Sequence, residues 1–509
     1  MLYDGNGQTL QRPRPIAAAF NGSGTGNRSK FWETSSSDIN SLVYSDVNLL
    51  RERCRDAVRK NPYAEKAISS FVASAIGVGI KLQSQHPDEG IRKQINREFL
   101  KWTDYADADG ILDFFGLQRL ACRSMREGGE CFARFRYRRP EDGFRIPLQI
   151  QLLEAEHLPT WKPTTSEAVG NNTIDLGIEF NLFGKRVAYH LYKRHPGAVY
   201  SPGGANYETT RVPAEQVMHL FDPLRPGQKR GIPWFTPILT DLWELGQYSD
   251  AQLVKQKVAA MFVGWVKTLN DDMNTGGMFN AEQSETSGVG LADLEPGTAQ
   301  ILQPNEEMGW NDPPDAGSFG EFMRTCLRGI AAGLGITYEM LTGDLSTVNF
   351  SSSRVGQLDF RRVCEQFQHS VFVQQFCRPL FNEWLRIGVL SGALNLPGYA
   401  DDPQQYQEVR WITPGFPWIN PLQDVKAAIA EVRAGFTTRS AVVSAKGDDV
   451  DQIDAENAAD NARADAEKLS YDSDGRRPET LQSTNATQAL IEEQIREDEQ
   501  QMQRSALIQ

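Results

Sequence analysis

The sequence contains 509 residues, of which 40% are hydrophobic and 10% are aromatic. A chain of this length exceeds one ordinary hydrophobic core, so about two to four domains are expected. The formal net charge of -13 argues against a protein whose main role is to hold nucleic acid on a basic surface, although it does not exclude transient passage of nucleic acid.

The cysteines show no C-x-x-C pair and fall mostly at apolar positions of predicted helices. They are Cys54, Cys122, Cys131, Cys326, Cys364 and Cys377. This pattern predicts reduced core residues of a cytosolic protein. No uncharged apolar run reaches the ~20 residues of a membrane span, and the first residues lack the apolar segment of a signal peptide. We therefore expect neither membrane insertion nor export by that route.

Residues 1–40 are rich in Gly, Ser, Asn and Arg and contain few residues that could be buried, which predicts a disordered N-terminal arm. An alternative is that basic residues of the arm contact a partner. Those residues are Arg12, Arg14, Arg28 and Lys30.

The first 230 residues are predicted to form an α+β domain. Apolar residues spaced by three and four predict helices at 46–60, 62–76, 88–102 and 113–127. Alternating apolar and polar residues predict strands at 131–137, 148–153, 173–180, 186–193 and 216–221. Clusters of Gly, Pro and Asn rather than helices separate these strands, which favours an antiparallel sheet.

A long helix is predicted over 236–267, with Thr236 as its cap and Pro237 in its first turn. Lys255 and Lys257 lie within this helix, so at least one of its faces is expected to contact water. Residues 268–317 are turn-rich, and a loose segment of that length is expected at the tip of the long helices rather than in the core.

Residues 318–389 read as two helices joined by a polar loop. A reciprocal pair of Ser318 and Glu321 predicts the start of the first helix, and Gly333 and Gly335 predict its end. The second helix is expected to begin near residues 351–353 and to kink or break at Pro379.

The chain ends in a predicted acidic helical region, with helices at 423–434 and 438–470. Residues 423–509 contain 10 Lys and Arg against 18 Asp and Glu, which accounts for more than half of the excess negative charge. From residue 473 onward the polar composition predicts disorder or weak helicity.

The motifs of common catalytic sites are missing from the sequence. It contains no phosphate-binding G-x-x-x-x-G-K-[ST], no H-E-x-x-H and no G-x-S-x-G. His190 and His195 could share a metal, and the segment DYADADG resembles a calcium loop briefly but lacks required ligands. We therefore expect no enzyme and no cofactor; a multidomain enzyme with an unrecognised site is the alternative, and it would need a convergent set of catalytic groups.

The order of elements is an α+β body, a long helix, a tip, a second helix, a polar loop, a kinked helix and an acidic tail. Three segments carry a more specific resemblance: RERCRDAVRKNPYAEKAI at 51–68, MHLFDPLRPGQKRGIPWF at 218–235 and IAAGLGITYEMLTGDLSTVNFSSSR at 330–354. With them the sequence resembles the lambda-type portal family of tailed bacteriophages over roughly residues 40–450.

The resemblance implies a portal fold of the α+β class, with an α+β wing, a long-helix stem, a small clip, a kinked tunnel helix and a helical crown. The implied boundaries are the arm 1–40, wing 41–235, stem helices 236–267 and 318–340, clip 268–317, tunnel loop 341–353, kinked helix 354–422, crown 423–472 and acidic tail 473–509.

The resemblance also implies a homo-oligomeric ring, typically a dodecamer, at one capsid vertex of the virion, assembled in the host cytoplasm. Double-stranded DNA would be packaged and ejected through it without sequence specificity. The implied partners are the terminase large subunit, head-tail connector proteins, and capsid and scaffold proteins. Another phage head component, such as a minor head or adaptor protein, is the alternative.

The implied DNA-channel loop is short on charge, which suits a surface along which phosphates slide, because Lys and Arg contacts would hold the DNA. Its residues are Asp344, Leu345, Ser346, Thr347, Val348, Asn349 and Phe350. Lys255 and Lys257 are assigned to the channel or to an inter-subunit contact, the alternative being a solvated outer face of the stem.

Overall fold

The structure is a computed structural model that describes residues 36–161, 171–198, 207–260, 264–268, 306–310, 319–346, 350–415 and 421–469, together with positions 169, 200, 471 and 476. The predicted arm at 1–40 and the predicted tail at 473–509 lie almost entirely outside the described residues.

Four helices open the described chain, and they confirm the four predicted for the N-terminal region. They are α1 (Ile39–Lys60), α2 (Pro62–Ala75), α3 (Glu89–Thr103) and α4 (Phe114–Gly128). The break between α1 and α2 follows from Asn61, whose side chain accepts hydrogen bonds from the N–H groups of Tyr63 and Ala64. Pro62 occupies the first turn of α2, where its missing N–H costs nothing.

The strands of the body form small antiparallel sheets, as the sequence predicts. The strands are β1 (Lys81–Ser84), β2 (Glu130–Tyr137), β3 (Leu148–Glu154), β4 (Thr173–Asp175), β5 (Ile178–Phe180), β6 (Arg186–Tyr192), β7 (Thr209–Pro213) and β8 (Val217–Phe221). One sheet has the order β3-β2-β8 and another has the order β4-β5-β6-β7. Strand β1 pairs instead with β11 (Val409–Ile412), which ties the N-terminal body to a much later part of the chain.

The single strand predicted over 173–180 is wrong, because the structure has a hairpin there. Leu176 and Gly177 have φ values of 50° and 81° and separate β4 from β5. Two consecutive residues with positive φ form the tight turn that matches the natural twist of a hairpin.

A buried charge cluster joins α1, the two larger sheets and the segment before the long helix. One oxygen of Glu130 accepts hydrogen bonds from Arg51 at 2.6 Å and Arg230 at 2.7 Å. The other accepts from the Gly231 N–H at 2.8 Å and contacts His219 Nε2 at 2.9 Å. All four of these side chains are buried.

The charges of this cluster set its protonation states. Burial alone would raise the pKa of Glu130, but the guanidinium groups of Arg230 and Arg51 hold that pKa well below its usual range. Burial also lowers the pKa of His219 to about 4, and its Nδ1 has no hydrogen-bond partner. The neutral imidazole therefore donates from Nε2 to the carboxylate, which stays ionised.

A second buried cation links the body to the later helices. The guanidinium carbon of Arg126 lies 4.2 Å from the ring centre of Phe71 and 4.3 Å from that of Phe367, with Trp234 at 5.4 Å. The Arg126 carbonyl also accepts the N–H of Trp234. A guanidinium on aromatic faces in a desolvated site is stabilising, so this contact fixes α4 against both α2 and the helix that contains Phe367.

The long helix α5 (Leu239–Ala260) follows a short 3-10 turn at Thr236–Ile238. The helix predicted over 236–267 is therefore too long, because residues 264–268 form strand β9, which pairs antiparallel with β10 (Glu306–Trp310). Trp265, Val266 and Thr268 are aromatic or β-branched residues, which favour a paired strand over a helix end. The rest of the segment predicted as the tip lies outside the described residues.

Helix α6 (Phe319–Leu334) ends at Gly335, whose φ of 68° is left-handed. The N–H of the next residue, Ile336, donates to the Ala331 carbonyl. This confirms Gly335 as the stop. Gly333 has another role, because a Cβ there would lie 2.3 Å from the Ile238 side chain. It permits the close approach of α6 to the start of α5.

The second stem helix predicted over 318–340 is divided in the structure. After Gly335, a new helix, α7 (Tyr338–Thr342), begins at the cap Thr337, whose hydroxyl accepts the Met340 N–H. The residue that stops α6 thus allows a change of direction, and α7 packs on α2, where the Ser70 hydroxyl donates to the Met340 carbonyl.

The last long helical run has an irregular middle. Helix α8 (Phe350–Phe367) passes into a π-helix at Gln368–Cys377, which passes into α9 (Arg378–Leu390). The kink or break predicted at Pro379 is replaced by this widened segment, in which the Arg378 N–H bonds to the Val373 carbonyl five residues earlier. The irregularity precedes the proline because the proline cannot donate and its ring would crowd the carbonyl of the turn before it.

The C-terminal helices are α11 (Pro421–Arg433), α12 (Arg439–Ala445) and α13 (Val450–Ala466), which follow the short α10 (Gln404–Gln407). Helix α11 confirms the one predicted over 423–434. The single helix predicted over 438–470 is wrong, because Gly447, with a φ of 89°, lies between α12 and α13. Gln83 donates to Asp449 at 2.5 Å, so the α13 cap is attached to the body.

All six cysteines are free, with no disulfide between any two of them. Five are buried and Cys326 is half-buried. Among the described residues, no helix combines the length and apolar character needed to cross a bilayer.

Replacing Glu130 with Gln should destabilise the chain by about 3–5 kcal/mol, because Arg51 and Arg230 would lose the charge that compensates their burial. Urea unfolding followed by circular dichroism would measure this change. Glu89→Gln is the matched control, since Glu89 forms an exposed ion pair with Lys93 at 2.7 Å and water screens such a pair, so its loss should barely move the urea midpoint. Equal effects of the two changes would contradict the importance assigned to the Glu130 cluster.

His219 should make the chain less stable as the pH falls. Its folded pKa of about 4 is below the unfolded value, so the unfolded chain takes up the proton first and stability is lost between about pH 6.5 and 4. Between pH 7 and 4.5 the loss is roughly 2 kcal/mol. Urea midpoints at several pH values should show a flatter dependence for His219→Gln than for the exposed control His369→Gln, and identical slopes would refute this role.

Candidate functional site

The candidate site is the segment that connects α7 to α8. Gly343 ends α7 with a φ of 76°, and its N–H bonds to the Glu339 carbonyl. The Asp344 N–H then donates to the Thr342 hydroxyl at 3.1 Å. The chain therefore leaves α7 in a defined direction.

Asp344 organises the turn that follows. Its carboxylate accepts hydrogen bonds from the Ser346 N–H at 3.0 Å, the Ser346 hydroxyl at 2.6 Å and the Tyr338 hydroxyl at 3.2 Å. The Ser346 hydroxyl is the largest cause that lowers the pKa of Asp344, so the carboxylate is ionised at neutral pH. Leu345, between these residues, is 69% exposed.

The turn thus presents one fixed negative charge, hydroxyl groups and one exposed apolar side chain. Of the predicted loop residues, the structure brings Asp344, Leu345 and Ser346 together in this turn. Thr347, Val348 and Asn349 lie outside the described residues. Phe350 is the first residue of α8 rather than a loop residue, because the helical backbone begins there.

Tyr338 and Thr342, which hold the start of the turn, were not among the predicted loop residues. The signal was present in the sequence, since Asp followed two residues later by Ser, directly after a Gly, is typical of a turn in which the aspartate side chain accepts backbone N–H groups.

Lys255 and Lys257 occupy different sides of α5. They are two residues apart, which separates them by about 200° around a helix axis. Lys255 is half-buried and Lys257 is exposed. They therefore face different surroundings, and their assignment to the channel or to an inter-subunit contact stays a prediction.

The two histidines considered as metal ligands contact different carboxylates. His190 Nε2 lies 3.3 Å from buried Glu179, whereas His195 Nε2 lies 3.0 Å from Glu154. In the described part of the chain, Glu154, Glu156 and His195 could approach one ion. Arg55, however, donates to both oxygens of Glu156 at 2.6 and 2.8 Å, so the charge of that carboxylate is already compensated by a guanidinium.

Comparison with known proteins places the chain among phage proteins. The family model described as "Phage portal protein, lambda family" matches residues 25–368. The chain is 26% identical over 441 residues to a probable portal protein of Halomonas phage phiHAP-1, covering 84% of this chain and 82% of the relative. It is 24% identical over 485 residues to Portal protein B of Escherichia phage lambda, covering 86% and 87%.

Among solved structures, the chain aligns with one from the neck of a native GTA particle computed with C12 symmetry. The TM-score is 0.42 at 15% identity, covering 78% of this chain and 91% of that chain. The family model covers more than half of the chain and both relatives are matched over most of their length, so the chain belongs to the lambda family of phage portal proteins.

Proposed function

We propose that this portal protein forms a homo-oligomeric ring, typically of twelve copies, at one vertex of a phage capsid, and that double-stranded DNA enters and leaves through the ring. The observation that carries this proposal is the family match, which spans the body and all of α5, α6, α7 and α8. The minor head or adaptor alternative is disfavoured because the relatives are portal proteins.

Exposed apolar side chains on the long helices support assembly into a ring. On α5, Trp243 is 67% exposed and Val254 is 58% exposed, and on α8 Val355 is 61% exposed. Large apolar groups that long helices leave open to water in one copy suit a surface that another protein covers. Neighbouring copies would cover them in a ring.

In this proposal residues 41–235 form the wing, α5 and α6 form the stem, and residues 268–317 form the clip that meets the terminase large subunit and later the head-tail connector proteins. Residues 423–472 form the crown inside the head. Capsid and scaffold proteins would contact the ring during assembly in the host cytoplasm, and the mature ring would remain in the virion. The protein acts as a conduit and not as a catalyst.

The turn at residues 344–346 is proposed as the start of the DNA-facing loop. The ionised Asp344 repels phosphates, and the hydroxyl groups of Ser346 and Tyr338 already donate to its carboxylate. A surface of this kind gives DNA no fixed cation to hold, so the duplex can slide. Since Lys255 and Lys257 lie on opposite sides of α5, at most one of them lines the channel.

The purified protein should assemble into a ring with a mass close to twelve times 56.9 kDa. Mass photometry and class averages viewed down the ring axis would test this. A protein that stays monomeric across the salt and protein concentrations used for assembly would refute the proposed ring.

Deleting Ser346–Asn349 should leave ring mass unchanged and reduce DNA packaging or retention by tenfold or more, because the loop would no longer reach the DNA. DNA protected from nuclease in filled heads is the measurement. The matched control replaces the same four residues with Gly-Ser-Gly-Ser, which keeps the length and should retain most packaging. Loss of the ring in the deletion variant would instead make the loop a packing element.

A further inference from the structure

Helix α11 carries an apolar stripe that faces water in one copy. Val425 is 40% exposed, Ile429 is 45% exposed, and Phe436, just beyond the Gly435 stop, is 85% exposed. At about 100° per residue, Val425, Ile429 and Val432 share one face. An amphipathic helix whose apolar face remains open in this way needs a covering surface.

The stripe is bordered by opposite charges on its two sides. Asp424 and Glu431 lie seven residues apart on one edge, and Lys426 and Arg433 lie seven residues apart on the other. Each acid is two residues from a base, so the edges are about 200° apart around the axis. The face opposite the stripe carries Gln423 and small residues.

This arrangement allows two kinds of self-association. In a closed helix pair the charged positions flank the apolar seam on its two sides, and both edges meet the same partner. Here the acidic and basic edges point in nearly opposite directions. Each helix can therefore meet one copy with its acidic edge and a second copy with its basic edge, which is a heterologous contact that closes into a ring when the rotation permits.

We propose that α11 of one copy packs beside α11 of the next copy in the same direction, with the acidic edge of one against the basic edge of the other. The occupant of this surface is therefore a second copy of the chain. The inference rests on the proposed ring and adds a specific contact to it. Exposed ion pairs are individually weak, but the contact repeats at every junction, and the bordering apolar stripe is partly covered each time.

The geometry allows a direct test by disulfide formation. At an axis separation of 8–10 Å and a Cα radius of about 2.3 Å, facing Cα atoms approach to about 3.4–5.4 Å, which overlaps the range that a disulfide needs. Glu431 on one copy would face Arg433 on the next. Both side chains are exposed, so cysteines there should leave the fold intact.

The test compares three proteins after mild oxidation of assembled rings. The double variant Glu431→Cys/Arg433→Cys should give a ladder of covalent multimers on a non-reducing gel, with most chains above the monomer band. Each single variant alone should stay largely monomeric. The control Ala427→Cys/Ala430→Cys, on the opposite face, should also stay monomeric, and the unmodified protein gives the background from the six native thiols.

The outcomes separate this contact from the ring itself. Intact rings by mass photometry without a ladder would overturn the α11 contact and leave the proposed function standing. Covalent dimers from Glu431→Cys alone would also overturn it, because they would place two acidic edges together. If the unmodified protein forms no ring, both proposals fail.

Discussion

The arrangement of this protein depends on one buried carboxylate, Glu130, that compensates two buried guanidinium groups. Arg51 links α1 to Glu130, and Arg230 links the segment that leads into the long helix to the same carboxylate. Arg230 also donates to the Leu176 carbonyl at 2.8 Å and the Leu158 carbonyl at 3.0 Å, which fixes the small four-stranded sheet. A buried ion costs several kcal/mol unless charge and hydrogen bonds replace its water, so separating these elements would leave buried charges uncompensated.

The position of the candidate loop depends on that arrangement. The segment after Arg230 contributes Trp234 to the aromatic site around Arg126, and α5 begins directly after it. Gly333 lets α6 approach the start of α5, and α7 then docks on α2 of the body. Helix α7 and the hydrogen bonds of Asp344 therefore fix the start of the turn, while the side chains of the turn remain in contact with water. A rigid support with an exposed loop is a common way to present a functional surface.

The sequence predicted the individual helices and strands better than the points where they end and the contacts that connect them. Periodic apolar residues identified α1 to α4 and the antiparallel strands, and Asn61 with Pro62 marked the first helix break. It did not separate β4 from β5, because Leu176 must adopt a positive φ that its side chain disfavours. The helix predicted over 236–267 is too long because the apolar spacing around Trp265 fits a helix as well as a strand. The Asp344 turn was predictable in place, whereas the Glu130 cluster joins residues up to 101 positions apart, and no local pattern reveals such pairings.

The π-helical segment at Gln368–Cys377 affects how α8 is rotated about the helix axis relative to α9. Its hydrogen bonds span five residues instead of four, so the chain turns through a smaller angle per residue than in an α-helix. The length of this segment therefore sets which side of α8 points away from the body, while α9 keeps its buried face through Phe381 and Trp384. Adding or removing one residue there would do more than change helix length; it would rotate α8, and the loop before it, about the common axis.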